Sequence, residues 1–144
     1  MTFAYFDTSA LVKRYVRERG SAQVGSLLRR HDVLSSAITP VEILSALCRR
    51  KRSGDLSEED FSALLSRVQS DRLRWELVEV GGTVLSRAEE VVQGAVLMRA
   101  LDAVHVASLT IFQATAGIRV PFITGDGRQR DAATHLGLEV IWIG

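Results

Sequence analysis

The hydrophobic positions change period several times along the chain, and each change marks an element. Residues 2–6 form a short, continuous, aromatic-rich apolar run without polar alternation, which predicts a buried strand. From Thr8 to Arg19 the spacing turns helical, with Leu11, Val12, Tyr15 and Val16 on one face and Gly20 as the stop. Ser21 is placed to cap a second helix carrying Val24, Leu27 and Leu28, and Val33 to Ile38 reads as a second strand. Thr39-Pro40-Val41-Glu42 opens the next helix, with Thr39 as N-cap, Pro40 at the first helical position and Glu42 at the third. That helix runs to about Arg52. Ser57-Glu58-Glu59-Asp60 starts another, with acids in the first turn where the helix dipole favours them. Leu73 to Val80 predicts a third strand, Val84 to about Met98 a helix, and Leu101 to Thr115 a second, far more apolar helix. A strand from Val120 to Thr124, a Gly125-Asp126-Gly127 turn into a short helix through Leu136, and a strand from Leu138 to Ile143 complete the pattern.

Strands alternating with helices predict an α/β fold, a three-layer sandwich around a mainly parallel sheet of about five strands. The 144 residues suit a single domain spanning 1–144, and the Arg52-Ser53-Gly54-Asp55 break reads as a helix hairpin. A hydrophobic fraction of 47% and a charged fraction of 24% are ordinary for a soluble globular protein. Cys48 stands alone, which excludes a disulfide framework and a cysteine-based zinc site and is compatible with a reducing cytoplasm. No apolar run is long enough for a bilayer, and Asp7 interrupts the apolar start, so neither a membrane span nor a signal peptide is expected. The net charge is +1, yet only Lys13 and Lys51 are lysines among the eighteen basic residues. Arginine forks suit phosphates, and codon bias in a GC-rich genome produces the same preference.

In an open parallel sheet, ligands gather at the carboxyl ends of the strands near the switch in strand order. Asp7 ends the first strand, Asp126 lies just past the fourth, and Glu42 is in the first turn of the helix after the second. Each also suits a helix-capping role: Asp7 before Thr8, Glu42 in a capping box with Thr39, and Asp126 before Arg128. Asp102 is harder to explain as a cap. It sits in Leu101-Asp102-Ala103-Val104-His105-Val106-Ala107, where an ionised group among apolar neighbours is costly unless paired or metal-bound. Four carboxylates converging on one edge would repel one another unless cations intervene, and an all-oxygen set selects Mg²⁺ or Mn²⁺ over zinc.

These segments resemble those of a known family. Phe6-Asp7-Thr8-Ser9-Ala10-Leu11, Pro40-Val41-Glu42-Ile43, the Leu101–Ala107 stretch and Phe122-Ile123-Thr124-Gly125-Asp126 resemble, in order and spacing, the motifs of PIN-domain ribonucleases. The similarity extends over essentially the whole chain and is greatest to the single-domain VapC-type toxins of bacterial toxin–antitoxin pairs. The resemblance implies Asp7, Glu42, Asp102 and Asp126 as an acidic quartet around one or two Mg²⁺ or Mn²⁺ ions, with Thr8 or Ser9 supporting the first acid. It implies a cytoplasmic endoribonuclease that uses metal-activated water, with an RNA substrate, a cognate antitoxin that sets a basic side chain near the carboxylates, and a homodimeric state. Asp131 is a further acid that contributes in some relatives and otherwise reads as helix surface. Glycines on both sides of Asp126 depart from the family's longer side chains.

Arg99, three residues before Asp102, is placed either to reach a phosphate or to pair with a site carboxylate. Arg49-Arg50-Lys51-Arg52 ends a helix, where the dipole favours positive charge, and is also suited to an RNA backbone. His105, one turn after Asp102, reads as a hydrogen-bonded core histidine rather than a general base. Cys48 reads as a small core residue. The first strand is not followed by a glycine-rich turn, which argues against dinucleotide-binding and P-loop folds. Position 9 is serine where a haloacid-dehalogenase phosphatase needs a second aspartate, both lysines precede residue 52, unlike in a receiver domain, and no Gly-x-Ser-x-Gly elbow occurs. The alternative to an enzyme is a PIN-fold RNA- or protein-binding module with weak or lost nuclease activity.

Overall fold

A computed structural model describes all residues, 1–144. The chain runs β1 (Thr2–Phe6), α1 (Thr8–Tyr15), α2 (Ser21–Arg30), β2 (His31–Ser36), α3 (Thr39–Arg52), α4 (Glu58–Arg72), β3 (Glu76–Val78), α5 (Gly82–Val92), α6 (Ala100–Ala116), β4 (Phe122–Thr124), α7 (Gly127–His135) and β5 (Val140–Trp142). One sheet holds all five strands, in the order β3-β2-β1-β4-β5, and every pairing is parallel. The order reverses direction at β1, so the switch point lies between β1 and β4.

Side chains of β1 explain the layering. Successive strand residues face opposite sides. Ala4 and Phe6 enter a core with Leu11, Tyr15, Val24, Ile43, Leu47 and Val68, from α1 to α4. Tyr5 enters the other core with Val84, Val91, Val104, Leu109 and Phe122, from α5, α6 and β4. Both cores are apolar, which is why the strand reads as a continuous hydrophobic run rather than an alternating one.

Several boundaries differ from the sequence pattern, for identifiable reasons. The first helix ends at Tyr15, not Arg19, because Val16 is extended (φ −125°, ψ 123°). Lys13 Nζ then holds the following loop through the carbonyl of Arg19 (2.6 Å). Gly20 adopts φ 91°, and a Cβ there would lie 2.1 Å from the carbonyl oxygen of Ile143. Ser21 does not cap α2. Its hydroxyl accepts from Glu18 N–H (2.9 Å) and serves the loop, leaving Gly20 as a cap without a side chain. Thr39 does not cap α3 either. It is buried, with its hydroxyl 2.7 Å from that of Ser35, and the helix opens from Ile38 without a side-chain cap. The expected capping box is therefore absent, and the Glu42 side chain is free to turn elsewhere. The helix predicted to reach Met98 stops at Val92, next to Gly94, and Met98 is buried in the core ahead of α6. Strands β3, β4 and β5 are each three residues long, shorter than their apolar runs. No helix is long and apolar enough to cross a membrane.

Candidate active site

Asp7 leaves the carboxyl end of β1 at the switch point and is fully buried. It is also the N-cap of α1. Its Oδ1 accepts from Ala10 N–H (2.9 Å) and Ser9 Oγ (2.7 Å), and its Oδ2 accepts from Thr124 Oγ1 (2.5 Å) at the end of β4. Burial pushes the Asp7 carboxyl above its ordinary value, and the charge of His105 with the Thr124, Ser9 and Ala10 hydrogen bonds offsets only part of that. The expected cap is therefore present, and the same carboxyl lies at the switch point of the sheet.

Thr124 carries the connection across the switch point. Its hydroxyl oxygen also accepts from Asp126 N–H (2.9 Å), and Ser9 Oγ accepts from Gly125 N–H (2.9 Å). Asp126 in turn caps α7: Oδ1 accepts from Arg128 N–H (2.9 Å) and Gln129 N–H (3.1 Å), and Oδ2 has no protein donor. Gln129 then reaches Asp102 with its side chain, Nε2 donating to Oδ1 at 3.2 Å. Asp102 Oδ2 receives Arg99 Nε at 3.3 Å.

Glu42 enters from α3. Its Oε1 accepts from Thr8 Oγ1 (2.6 Å) and lies 2.7 Å from His105 Nε2, while Oε2 has no protein donor. His105 is buried on α6, and its Nδ1 lies 2.8 Å from Tyr5 Oη. Burial, with the charges of Asp7 and Glu42, pushes the Tyr5 phenol well above its ordinary value, so it keeps its proton. Glu42 can only accept, so the His105 Nε2 facing it carries a proton. Burial works against ionising Glu42, but the His105 hydrogen bond and charge, the Thr8 hydroxyl and the charge of Arg99 outweigh it and hold the carboxyl below its ordinary value.

Three carboxylates from separate segments, Asp7, Asp102 and Asp126, are therefore joined through Ser9, Thr124 and Gln129, and Glu42 forms its own hydrogen-bonded group with Thr8, the residue after Asp7, and His105, one turn after Asp102. His105 is buried as the sequence suggested, yet it belongs to the acidic site. Sequence reasoning gave Tyr5, Thr124 and Gln129 no role in the site, although Thr124 stands in the Phe122–Asp126 motif, two residues before Asp126. Asp131 stays apart, exposed on α7 and paired with Arg130 (3.0 Å). Cys48 is half-buried, not fully in the core. Of the basic run ending α3, Arg50 binds Glu18 (2.9 Å) and Lys51 binds Glu58 (2.6 Å), so much of its charge is used internally.

The donors fit a hard divalent cation in kind. They are carboxylate oxygens, two of them (Glu42 Oε2 and Asp126 Oδ2) without protein donors, beside a buried amide oxygen of Gln129 that has no partner. The spacing is more open than the sequence implied: no three His, Cys, Asp or Glu groups are drawn together closely enough to hold an ion. Arg99 pairs with Asp102, one of the two roles its position suggested, and His105 faces Glu42.

A basic cleft opens one turn along α1. Lys13 follows Ser9 by one turn, and its Cε would lie 3.0 Å from a Cβ at Gly125, next to Asp126. From there a cleft of about 660 Å³ runs past Arg14, Arg17, Glu18, the start of α2 and Arg67. Arg14 is committed to Asp71 (2.8 Å), whereas Arg17 and Arg67 are exposed and form no ion pair.

The PIN domain profile matches residues 4–134, nearly the whole chain. This protein belongs to the PIN-domain family. No curated protein is significantly similar in sequence to this PIN domain. Among solved structures it is similar to a chain of a toxin–antitoxin complex from Klebsiella pneumoniae (TM-score 0.60, 16% identity, 88% of each chain covered). It is also similar to a chain in the structure of FitAB bound to an IR36 DNA fragment (TM-score 0.69, 16% identity, 96% of this chain and 94% of that one covered). At that identity the likeness concerns the fold.

Proposed function

We propose that this PIN domain is a metal-dependent endoribonuclease acting as the toxin of a toxin–antitoxin pair. The observation that carries the reading is the hydrogen-bonded chain Asp102–Gln129–Asp126–Thr124–Asp7 across the switch point, with Glu42 bound to Thr8, the residue after Asp7, and to His105, one turn after Asp102. Asp7, Glu42, Asp102 and Asp126 would hold Mg²⁺, for which Mn²⁺ substitutes. When bound, such an ion supplies Lewis-acid stabilisation of a phosphoryl oxygen and lowers the pKa of water. The protein's own residues do the rest. Ser9, Thr124 and Ala10 N–H fix both oxygens of Asp7, Thr8 and His105 fix Glu42, and Arg99 is positioned to exchange Asp102 for a substrate phosphate. The basic cleft beside Lys13 would follow the RNA backbone away from the acids.

The antitoxin partner is supported by the neighbour that is itself a toxin–antitoxin complex and by the rim of the site. Val41, Leu97 and Leu101, next to Glu42, Arg99 and Asp102, are exposed apolar side chains that an amphipathic partner segment would cover. A basic side chain on that segment would face the carboxylates, and a homodimer is expected. Purified protein should cleave RNA with Mg²⁺ or Mn²⁺ and stop when EDTA is added, and 5′-end mapping after induced expression should give discrete sites. Cleavage that persists in EDTA would refute the metal role.

The open spacing of the acids favours a second reading, a PIN-fold RNA- or protein-binding module without catalysis. Mn²⁺ titration separates the two: no binding at millimolar concentration selects the module.

A further inference from the structure

Gln129 is the one polar residue on the inward face of α7. Its neighbours on that face, Ala132 and Ala133, are small and apolar, and Gln129 itself is 3% exposed. Its backbone N–H donates to Asp126 Oδ1 and its side-chain Nε2 to Asp102 Oδ1. Its Oε1 is buried and has no hydrogen-bond partner. The orientation of the amide follows from Asp102, because a carboxylate only accepts; turning the amide over would set oxygen against oxygen and strand the nitrogen. A buried acceptor without a partner is unfavourable, and an apolar side chain of the same size would avoid it.

We infer that Gln129 is a positioning residue of the site, tying the carboxylate of Asp102 to the turn that carries Asp126 and so fixing the separation of two cation-holding groups. This rests on the proposed metal site. Asp102 needs the tie because its other oxygen is held by Arg99, an exposed side chain on the same helix end, which leaves Gln129 as its only link to another element of the site. The orphaned Oε1 fits the same role. Mg²⁺ keeps several of its waters when protein-bound, and these are donors for a buried acceptor beside the carboxylates.

The test is Gln129→Met, close in shape but without donor or acceptor, with Gln129→Leu as a second variant. Mn²⁺ affinity is measured without RNA by calorimetry, and thermal denaturation is followed with and without Mn²⁺. The expected result is a metal-free melting temperature equal to or above wild type, with Mn²⁺ binding about 10–100-fold weaker, the usual effect of removing a group that orients a ligand. Mn²⁺ affinity within twofold of wild type overturns the inference, as does a lowered melting temperature with unchanged affinity or the failure of both variants to fold, either of which makes Gln129 purely structural. If wild type itself binds no Mn²⁺, the metal site is wrong and the inference falls with it, an outcome visible before any variant is compared.

Discussion

Replacing Asp7 in two ways separates its charge from its cap. In Asp7→Asn the amide oxygen keeps the bonds from Ala10 N–H and Ser9, and the new Nδ2 faces Thr124, whose hydroxyl can turn to accept it. Asparagine caps a helix as well as aspartate does. What is lost is the charge assistance of three hydrogen bonds, about 1 kcal/mol each from the difference between charged and neutral pairs. What is removed is a fully buried charge, whose effective desolvation cost is roughly several kcal/mol. The balance is neutral to favourable, about 0–2 kcal/mol, or an upward shift of roughly 0–8 °C in melting temperature for a domain of this size. Asp7→Ala removes the cap and leaves three donors without an acceptor, costing about 2–4 kcal/mol and lowering the melting temperature by roughly 4–16 °C.

The pH dependence has a definite sign. Asp7 is held above its ordinary value, so the folded state favours the protonated form. Its contribution to stability is full below the unfolded pKa and is lost as pH rises through the folded one. The advantage of Asp7→Asn over wild type should therefore be largest at neutral pH and disappear in acid. Thermal denaturation between pH 4 and 8 measures this, and RNA cleavage with Mg²⁺ is assayed in parallel. Both variants should be inactive. An Asp7→Asn protein that cleaves at the wild-type rate refutes the catalytic assignment. One that is destabilised as much as Asp7→Ala refutes the account of a buried, unfavourable charge.

Other residues give independent tests. Asp71 is buried against Arg14 Nε (2.8 Å) and Tyr15 Oη (2.6 Å), and although burial opposes its ionisation, these partners hold its carboxyl below the ordinary value. Its stabilising contribution is present above the unfolded pKa and lost as pH falls through the folded one, so Asp71→Asn should cost about 2 kcal/mol at pH 7 by denaturant titration and progressively less below about pH 4. Replacing Arg17 and Arg67 together by Gln should flatten the dependence of log K on log salt for single-stranded RNA by about 1.4, measured by fluorescence anisotropy, with an unchanged slope excluding the cleft. Gly20→Ala meets both the left-handed backbone and the Ile143 carbonyl, and should lower stability by about 2–3 kcal/mol in chemical denaturation.

Much of the fold was legible because periodicity reports burial. The buried β1 and the order of strands and helices were in the hydrophobic pattern, and parallel pairing followed from the helices between strands. Boundaries were less legible wherever a tertiary demand took over a local signal. Thr39 and Ser21 have the chemistry of caps, but the core claims the hydroxyl of one and the loop that of the other. Gly20 read as a helix stop, yet its requirement comes from Ile143, more than a hundred residues away.

The same distinction runs through the site. Asp102 was visible because a carboxylate among apolar residues has few inexpensive explanations, and Asp7, Glu42 and Asp126 because they lie at the strand ends in segments that resemble the family's motifs. Thr8, Ser9 and Arg99 were expected beside them, but His105, Thr124 and Gln129 were not, since a histidine in an apolar helix, a threonine ending a strand and a glutamine in a polar helix are ordinary in sequence. Asp102 shows what that omission hides. From the sequence it was an acid in need of a pairing partner or a metal ion, with Arg99 as one candidate partner. In the fold it already has one in Arg99, three residues away on the same helix, and it has an amide donor from Gln129 on another. A local ion pair at an exposed arginine is weak and exchangeable, whereas a buried amide held by its own helix is neither. Those two attachments leave Asp102 fixed in direction on one oxygen and open to exchange on the other, as a carboxylate must be if it is to release a side chain and take up an ion without moving.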